Sequence, residues 1–163
     1  MEAIEAMRKR RSVRAFKADP VPREVVEQIV DCGRLAATAV NVQPWEFVAV
    51  TSEPTRRRIA ALADHGSFIA QAPACIVVLA RDTTFYLEDC CAATQNLLNA
   101  ATAFGLGSCW VAGDKKPSSE QIRNLVGAPE GYKLVSLVAL GTPGEDPSPP
   151  KRPLSKVLHW EKF

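Results

Sequence analysis

The stretch "YLEDCCAATQNLLNAATAFG", residues 86–105, most narrows the folds open to this chain. Leu87, Cys91, Gln95, Leu98 and Thr102 recur at helical spacing, which predicts a long helix. Gly105 is placed to stop it in the left-handed conformation that favours glycine. Alanine fills many of the neighbouring positions. So many small side chains imply close approach by another element, and the helix is therefore expected at the centre of the core. "PACIVVLAR" upstream is apolar without alternation, the pattern of a strand covered on both faces. "WEFVAV", "SCWVAG" and "KLVSLVALG" supply three further strands.

The remaining helices read as enclosing elements. Residues 1–11 carry Met1, Ile4 and Met7 at helical spacing, and the chain then turns extended through Ser12–Phe16. Pro22 suits a first helical residue ahead of Val25, Val26, Ile29 and Val30. That second helix fades into "LAATAVNVQP". A third follows Ser52-Glu53-Pro54 and runs through Ile59 and Leu62 to about Asp64. Ser118 with Gln121 forms a capping-box pattern for another helix, closed by Gly127. About five helices and four strands result, without internal repeats or a G-x-G-x-x-G turn, which predicts an α+β fold with helices around a small sheet. At 163 residues this is one domain, 1–163. Its last part is a Pro-rich linker, 142–150, followed by an apolar arm, 151–163, holding Leu154, Val157, Leu158, Trp160 and Phe163. An apolar tail beyond such a linker must bury itself elsewhere, for instance on another subunit.

Charge removes several function classes. Five basic residues lie between Arg8 and Arg14, yet Lys+Arg exceed Asp+Glu only by 20 to 18. A nucleic-acid binder needs a cation for each phosphate it neutralises, so the cluster is a local feature and no nucleic-acid partner is expected. No apolar run reaches the ~20 residues of a membrane span. The first residues lack the apolar core of a secretory signal, and Glu2 and Glu5 do not suit a transit peptide, so the cytoplasm is the expected compartment. The five cysteines form no C-x-x-C and read as buried reduced thiols; what the adjacent Cys90 and Cys91 do stays open. His65 and His159 have no ligand spacing, and no metal is expected.

Acid–base machinery is scarce: there is no G-x-S-x-G or H-E-x-x-H, and Asp89 is a lone helical carboxylate. A site without catalytic side chains points to pure binding or to chemistry done by a bound cofactor. Three segments look built for a ligand. In Arg10-Arg11-Ser12-Val13-Arg14, alternation puts Ser12 and Arg14 on one side and Val13 on the other, a grouping able to grip a phosphate; a solvated basic helix end is the alternative. Asn41-Val42-Gln43-Pro44-Trp45 brings paired amides, as ligand donors or as loop caps. Gly105–Gly113 combines small residues that let backbone amides approach a flat ligand.

Taken together, "RRSVRAF", "NVQPWEFVAV", "EDCCAATQNLLNAATAFGLGSCWV" and "KRPLSKVLHWEKF" resemble the nitroreductase family of flavin enzymes, in the same order and over nearly the whole chain. The resemblance implies a nitroreductase-like fold, with helices around a mixed or antiparallel sheet of four to five strands, in an intertwined homodimer. It implies FMN in two equivalent sites at the dimer interface, NADH or NADPH as electron donor, and small acceptors such as nitroaromatics or quinones reduced by ping-pong hydride transfer. By the same resemblance, Arg10, Arg11, Ser12 and Arg14 hold the FMN phosphate and ring edge. Ala37, Thr38, Ala39 and Asn41 form the loop that the second subunit contributes, and the backbone of Ala112 and Gly113 lies near the ring. Lys151 or Arg152 reaches the phosphate. Ala37-Thr38 stands where relatives often have Pro-Ser, and Lys151 where they have Arg. A flavin-binding or redox-sensing module, and a specialised member with another physiological substrate, are the alternative readings.

Overall fold

The computed structural model describes all of residues 1–163. Four strands, β1 (Trp45–Val50), β2 (Ala74–Arg81), β3 (Gly107–Ala112) and β4 (Tyr132–Gly141), form one sheet in the order β1-β2-β4-β3. Every pairing is antiparallel. The five helices are α1 (Ala3–Lys9), α2 (Arg23–Arg34), α3 (Glu53–Leu62), α4 (Tyr86–Ala103) and α5 (Ser119–Leu125).

β2 shows why the sheet lies in the middle. Its Ile76, Val78 and Ala80 pack with residues of α2 and α4, while Cys75, Val77 and Leu79 pack with Ile59 of α3 and Ile122 of α5. Alternate side chains thus enter two separate cores, and a strand covered on both faces has no position for a polar residue. β4 pairs with β2 through a bulge at Val78/Leu79. Opposite it, Ser136 turns its hydroxyl toward α4, 2.8 Å from Thr94 Oγ1, and Thr94 in turn donates to the Cys90 carbonyl at 2.7 Å. Both buried hydroxyls are satisfied in this chain of bonds, and the bulge lies beside Ala112, the end of β3.

The long helix is central, as its small residues predict, but rotated. Its buried face is Asp89, Cys90, Ala93, Thr94, Leu97, Leu98, Ala100 and Ala101; of the residues expected inward Leu98 is buried, whereas Gln95 is exposed and Cys91 half-buried. The alanines decide the orientation, because they permit the closest approach to the sheet. On the flank, a Cβ at Gly33 would fall 2.6 Å from Leu97 Cδ2, so α2 sits hard against α4. Gly105, at φ +75°, ends α4 in the left-handed conformation.

Other elements depart from the sequence reading in informative ways. Pro22 stands just before α2, as its N-cap residue. Ser118 makes no side-chain cap on α5; Ser119 Oγ instead accepts from Lys116 N–H and donates to the Gly113 carbonyl, tying α5 to the end of β3. Ile4 and Met7 share α1 while Met1 lies ahead of its first residue, yet all three are exposed, and only Ala6 of α1 is buried. The linker 142–150 is not free along its length. Lys17 N–H donates to Thr142 O, Gly144 N–H to Ala15 O, and Phe16 bridges Pro143, so its first part is laid along the extended segment after α1. The arm beyond it is exposed throughout, with Trp160 79% accessible.

Candidate functional site

The free edge of β3 organises the candidate site. Ser12 pairs parallel with Ser108, and Val13 N–H donates to Ser108 O at 3.0 Å. The segment after α1 thus joins β3 from outside the sheet. Val13 is buried there, and a Cβ on Gly107 would come within 2.9 Å of it, so only glycine admits this approach. Since Ser108 turns its carbonyl outward, backbone alternation turns the N–H groups of Trp110 and Ala112 to the same open edge. From Ser108 to Ala112 that edge runs about 13 Å at roughly 3.3 Å per residue.

The basic residues at its head do not share one role. Lys9 pairs with Glu5 at 2.6 Å along α1. Arg11 Nη1 donates to the carbonyls of Arg8 and Arg10, both at 2.8 Å, and so caps the helix end where cations complement the dipole. Its Nε is buried without a partner. Arg10 and Arg14 have guanidiniums engaged in no hydrogen bond or ion pair; that of Arg14 lies 5.9 Å over the Phe68 ring. Both stand close to Cys109 of β3: burial pushes its thiol up, while Arg14, the Ser12 hydrogen bond and Arg10 pull it the other way. The expected four-residue clamp is therefore narrower in charge, with Arg10 and Arg14 available, Ser12 beside them and Arg11 committed to the helix.

Glu145 is a residue that sequence reasoning missed. One carboxylate oxygen accepts from both Arg14 N–H and Ala15 N–H, which fixes the backbone that carries the clamp. Those amide donors, Arg14 first, together with the nearby Arg14 charge, hold its carboxyl below the usual carboxylate range. No local motif announces a contact spanning 131 residues.

At the foot of the edge the two expected backbone groups differ. Gly113 N–H donates to Val135 O at 2.9 Å, so it is spent inside the fold, and Ala112 carries the outward donor. Glycine is needed at 113 for packing, because a Cβ there would lie 2.6 Å from Leu134 Cγ.

The loop Ala37–Gln43 lies elsewhere in the same chain, between α2 and β1. Val40, Asn41 and Gln43 all have positive φ, at 46°, 56° and 47°. Such backbone persists only where its surroundings hold it. Thr38 Oγ1 accepts Gln43 N–H at 3.2 Å, Asp89 Oδ1 accepts Ala39 N–H at 3.1 Å, and Arg81 donates to the carbonyls of Val42 and Gln43. Asn41 and Gln43 are left exposed at the tip. Of the arm's cations, Arg152 donates to the Lys156 carbonyl at 2.7 Å, while Lys151 stands exposed. Cys90 and Cys91 face differently, as adjacent helical residues must; burial pushes the Cys90 thiol up to about 12 and raises Cys91 as well, so neither is a thiolate near neutrality.

The residues present suit an FMN. Two unspent cations and a hydroxyl match a phosphate, the buried hydroxyl of Ser108 on β3 has no partner within the chain, and the edge ends in a free amide donor. A cavity of about 1080 Å³ is a different place. It lies beside α2 and β1, lined among others by Val26, Val30, Phe47 and Ala49. One chain alone does not enclose the β3 edge.

Comparison with known proteins identifies the family of this fold. The profile described as the nitroreductase family matches residues 7–66 and 65–142. A Methanothermobacter thermautotrophicus protein, provisionally named an NADH dehydrogenase/NAD(P)H nitroreductase, is 33% identical over 169 residues, covering 100% of this chain and 88% of the relative. A Bacteroides thetaiotaomicron protein with the same provisional name has a crystal structure that superposes with a TM-score of 0.93 at 27% identity, covering 99% of this chain and 98% of the other. The NADPH:FMN oxidoreductase of Vibrio harveyi, solved in complex with NAD+, gives a TM-score of 0.86 at 26% identity, over 99% of this chain and 77% of that one. With the family profile matched over most of its length and a full-length relative at this identity, the chain belongs to the nitroreductase family.

Proposed function

We propose that the chain is an FMN-dependent NAD(P)H oxidoreductase that works as a homodimer and reduces small acceptors of the nitroaromatic or quinone class. One observation carries this reading: Arg10 and Arg14, with guanidiniums not otherwise engaged, head an open strand edge that ends in the free Ala112 N–H. The Vibrio harveyi relative, named for NADPH and FMN and solved with NAD+, supports the same assignment.

FMN, when bound, supplies hydride acceptance and donation at one ring nitrogen, a task for which this chain has no side chain of its own. Arg10, Ser12 and Arg14 hold the phosphate through charge-assisted hydrogen bonds, and Glu145 fixes the backbone that aims Arg14. Ala112 N–H donates toward the ring. The loop carrying Ala37, Thr38, Ala39 and Asn41 closes the partner's site, and Lys151 rather than Arg152 is the arm cation free to reach a phosphate. Nicotinamide and acceptor would use one stacking space in turn, and this chain's part would be to position and desolvate them.

Dimer formation accounts for the surfaces left open by one chain. Met1, Ile4 and Met7 at the start of the chain and on α1, and Leu154, Trp160 and Phe163 on the arm, are exposed apolar groups. The groove beside the edge strand β1 offers an apolar floor for such an arm from a second copy. The cytoplasm, where reduced nicotinamide is plentiful and thiols stay reduced, is the proposed site of action. No helix is long and apolar enough to cross a membrane.

Flavin titration tests the assignment. The wild-type chain should bind FMN with quenched flavin fluorescence. Arg14→Ala should weaken binding by about 10- to 100-fold, the worth of one or two charge-assisted hydrogen bonds. A wild-type protein that cannot take up FMN contradicts the proposal.

A further inference from the structure

Asp89 is a charged residue that the proposed reaction does not use, and it is 5% exposed. It sits in the first turn of α4, the helix that packs against the sheet in the core shared with α2. Oδ1 accepts the Ala39 N–H at 3.1 Å, across 50 residues of sequence. Oδ2 is shut from solvent and accepts nothing. An ionisable group kept in this state carries a desolvation cost that an apolar residue of similar size would avoid, so packing alone does not explain it.

What it touches is the strained loop. Ala39 opens the turn in which Val40 and Asn41 take positive φ, and Gln43 follows in the same conformation. From the other side Arg81, at the end of β2, donates to Val42 O at 3.3 Å and Gln43 O at 3.2 Å, while its own N–H donates to Pro44 O at 2.9 Å. A carboxylate on α4 thus holds the entry of the turn and a guanidinium on β2 holds its exit. Neither Val40 nor Gln43 has a side chain that favours left-handed backbone, so without such anchors the loop relaxes. Asn96 Nδ2, lower on α4, donates to the Cys32 carbonyl and secures the end of α2 from which the loop departs.

We propose that Asp89 and Arg81 are positioning residues for the flavin: together they clamp loop 38–43 in its strained form, so that Asn41 and its neighbours meet the cofactor without reorganisation. This rests on the flavin reading above. Neither residue touches the cofactor in this scheme; they act through the Ala39 amide and the Val42 and Gln43 carbonyls. The consequence is thermodynamic. A ligand that binds only the clamped loop loses apparent affinity in proportion to the fraction of chains still clamped, so a loop held one-tenth of the time costs about tenfold in Kd.

The test is FMN affinity by fluorescence quenching, read beside thermal unfolding of the flavin-free protein and proteolysis within 38–43. Asp89→Ala and Arg81→Met should each raise the FMN Kd about tenfold or more, and each should hasten cleavage in the loop. Asp89→Asn, which keeps an acceptor for Ala39 N–H, should restore affinity to within about threefold of wild type. A purely structural role would lower the melting temperature while leaving the Kd of the folded protein within about twofold, and that result overturns the inference. Should Asp89→Ala fail to fold, Arg81→Met and Asp89→Asn still decide: unchanged affinity in Arg81→Met contradicts the clamp. A wild-type protein that binds no FMN contradicts the flavin reading instead, and is distinguished from every outcome in which wild type binds and the variants match it.

Discussion

Five basic residues within seven positions invite a single explanation, and the contacts divide them instead. Lys9 pairs with Glu5, Arg11 caps α1, and Arg10 and Arg14 remain for a ligand. Alternation in the sequence was enough to separate Ser12 and Arg14 from the buried Val13. It could not show Arg11 curling back on its own helix end, nor Glu145 arriving from the far terminus. Both depend on where the chain returns. Likewise Asp89 reads in sequence as one more helical carboxylate, and only its burial against the Ala39 amide shows otherwise. Glu145 gives a pH prediction. Its carboxyl is lowered in the fold, so its contribution is complete above the unfolded value near 4.3 and is lost as pH falls through the lower folded value. Glu145→Gln should therefore melt below wild type at neutral pH, with the gap closing under strongly acid conditions. Thermal scans across pH check this; a gap that widens on acidification contradicts it.

Elements were legible wherever one pattern dominated. β1 coincides with "WEFVAV", and β2 is the continuous apolar run that two cores require. The face of α4 was not, because alanine carries little hydrophobic signal while it decides how close the sheet can come. The bulge opposite β3 has no sequence mark either; it follows from pairing β2 with β4 and is seen only in the register. The junction of the Arg14 segment with β3 is the element-level feature on which function most depends. Gly107→Ala should place a methyl against Val13, cost about 1–3 kcal/mol as overpacking, and displace the clamp from its strand. Urea unfolding and FMN titration read both effects, and adding Val13→Ala should recover much of each. If the single variant unfolds and binds like wild type, the close approach is not what sets the clamp.

At the scale of the whole molecule, the α+β class with helices around a small sheet follows from the order of elements, and the structure makes that sheet four-stranded and antiparallel. The site does not close within one chain. Arg10 and Arg14 lie at one place, the strained loop at another, and the arm leaves the body with its apolar side chains open to solvent. The sequence announced that arm through its proline linker, yet the partner surface proposed for it involves side chains from α2 and β1 that no motif joins. Removing residues 151–163 should convert the proposed dimer to monomer and weaken FMN binding in parallel, as measured by light scattering and flavin titration. A truncated chain that stays dimeric contradicts the role given to the arm.

Anaerobic stopped-flow mixing of the FMN-loaded dimer with NADH, and separately with NADPH, tests the central claim most directly. Rapid loss of the oxidised flavin absorbance with at least one donor, and its return when a quinone or nitroaromatic is added, is the predicted result. Flavin that binds tightly yet stays oxidised with both donors would contradict an NAD(P)H oxidoreductase.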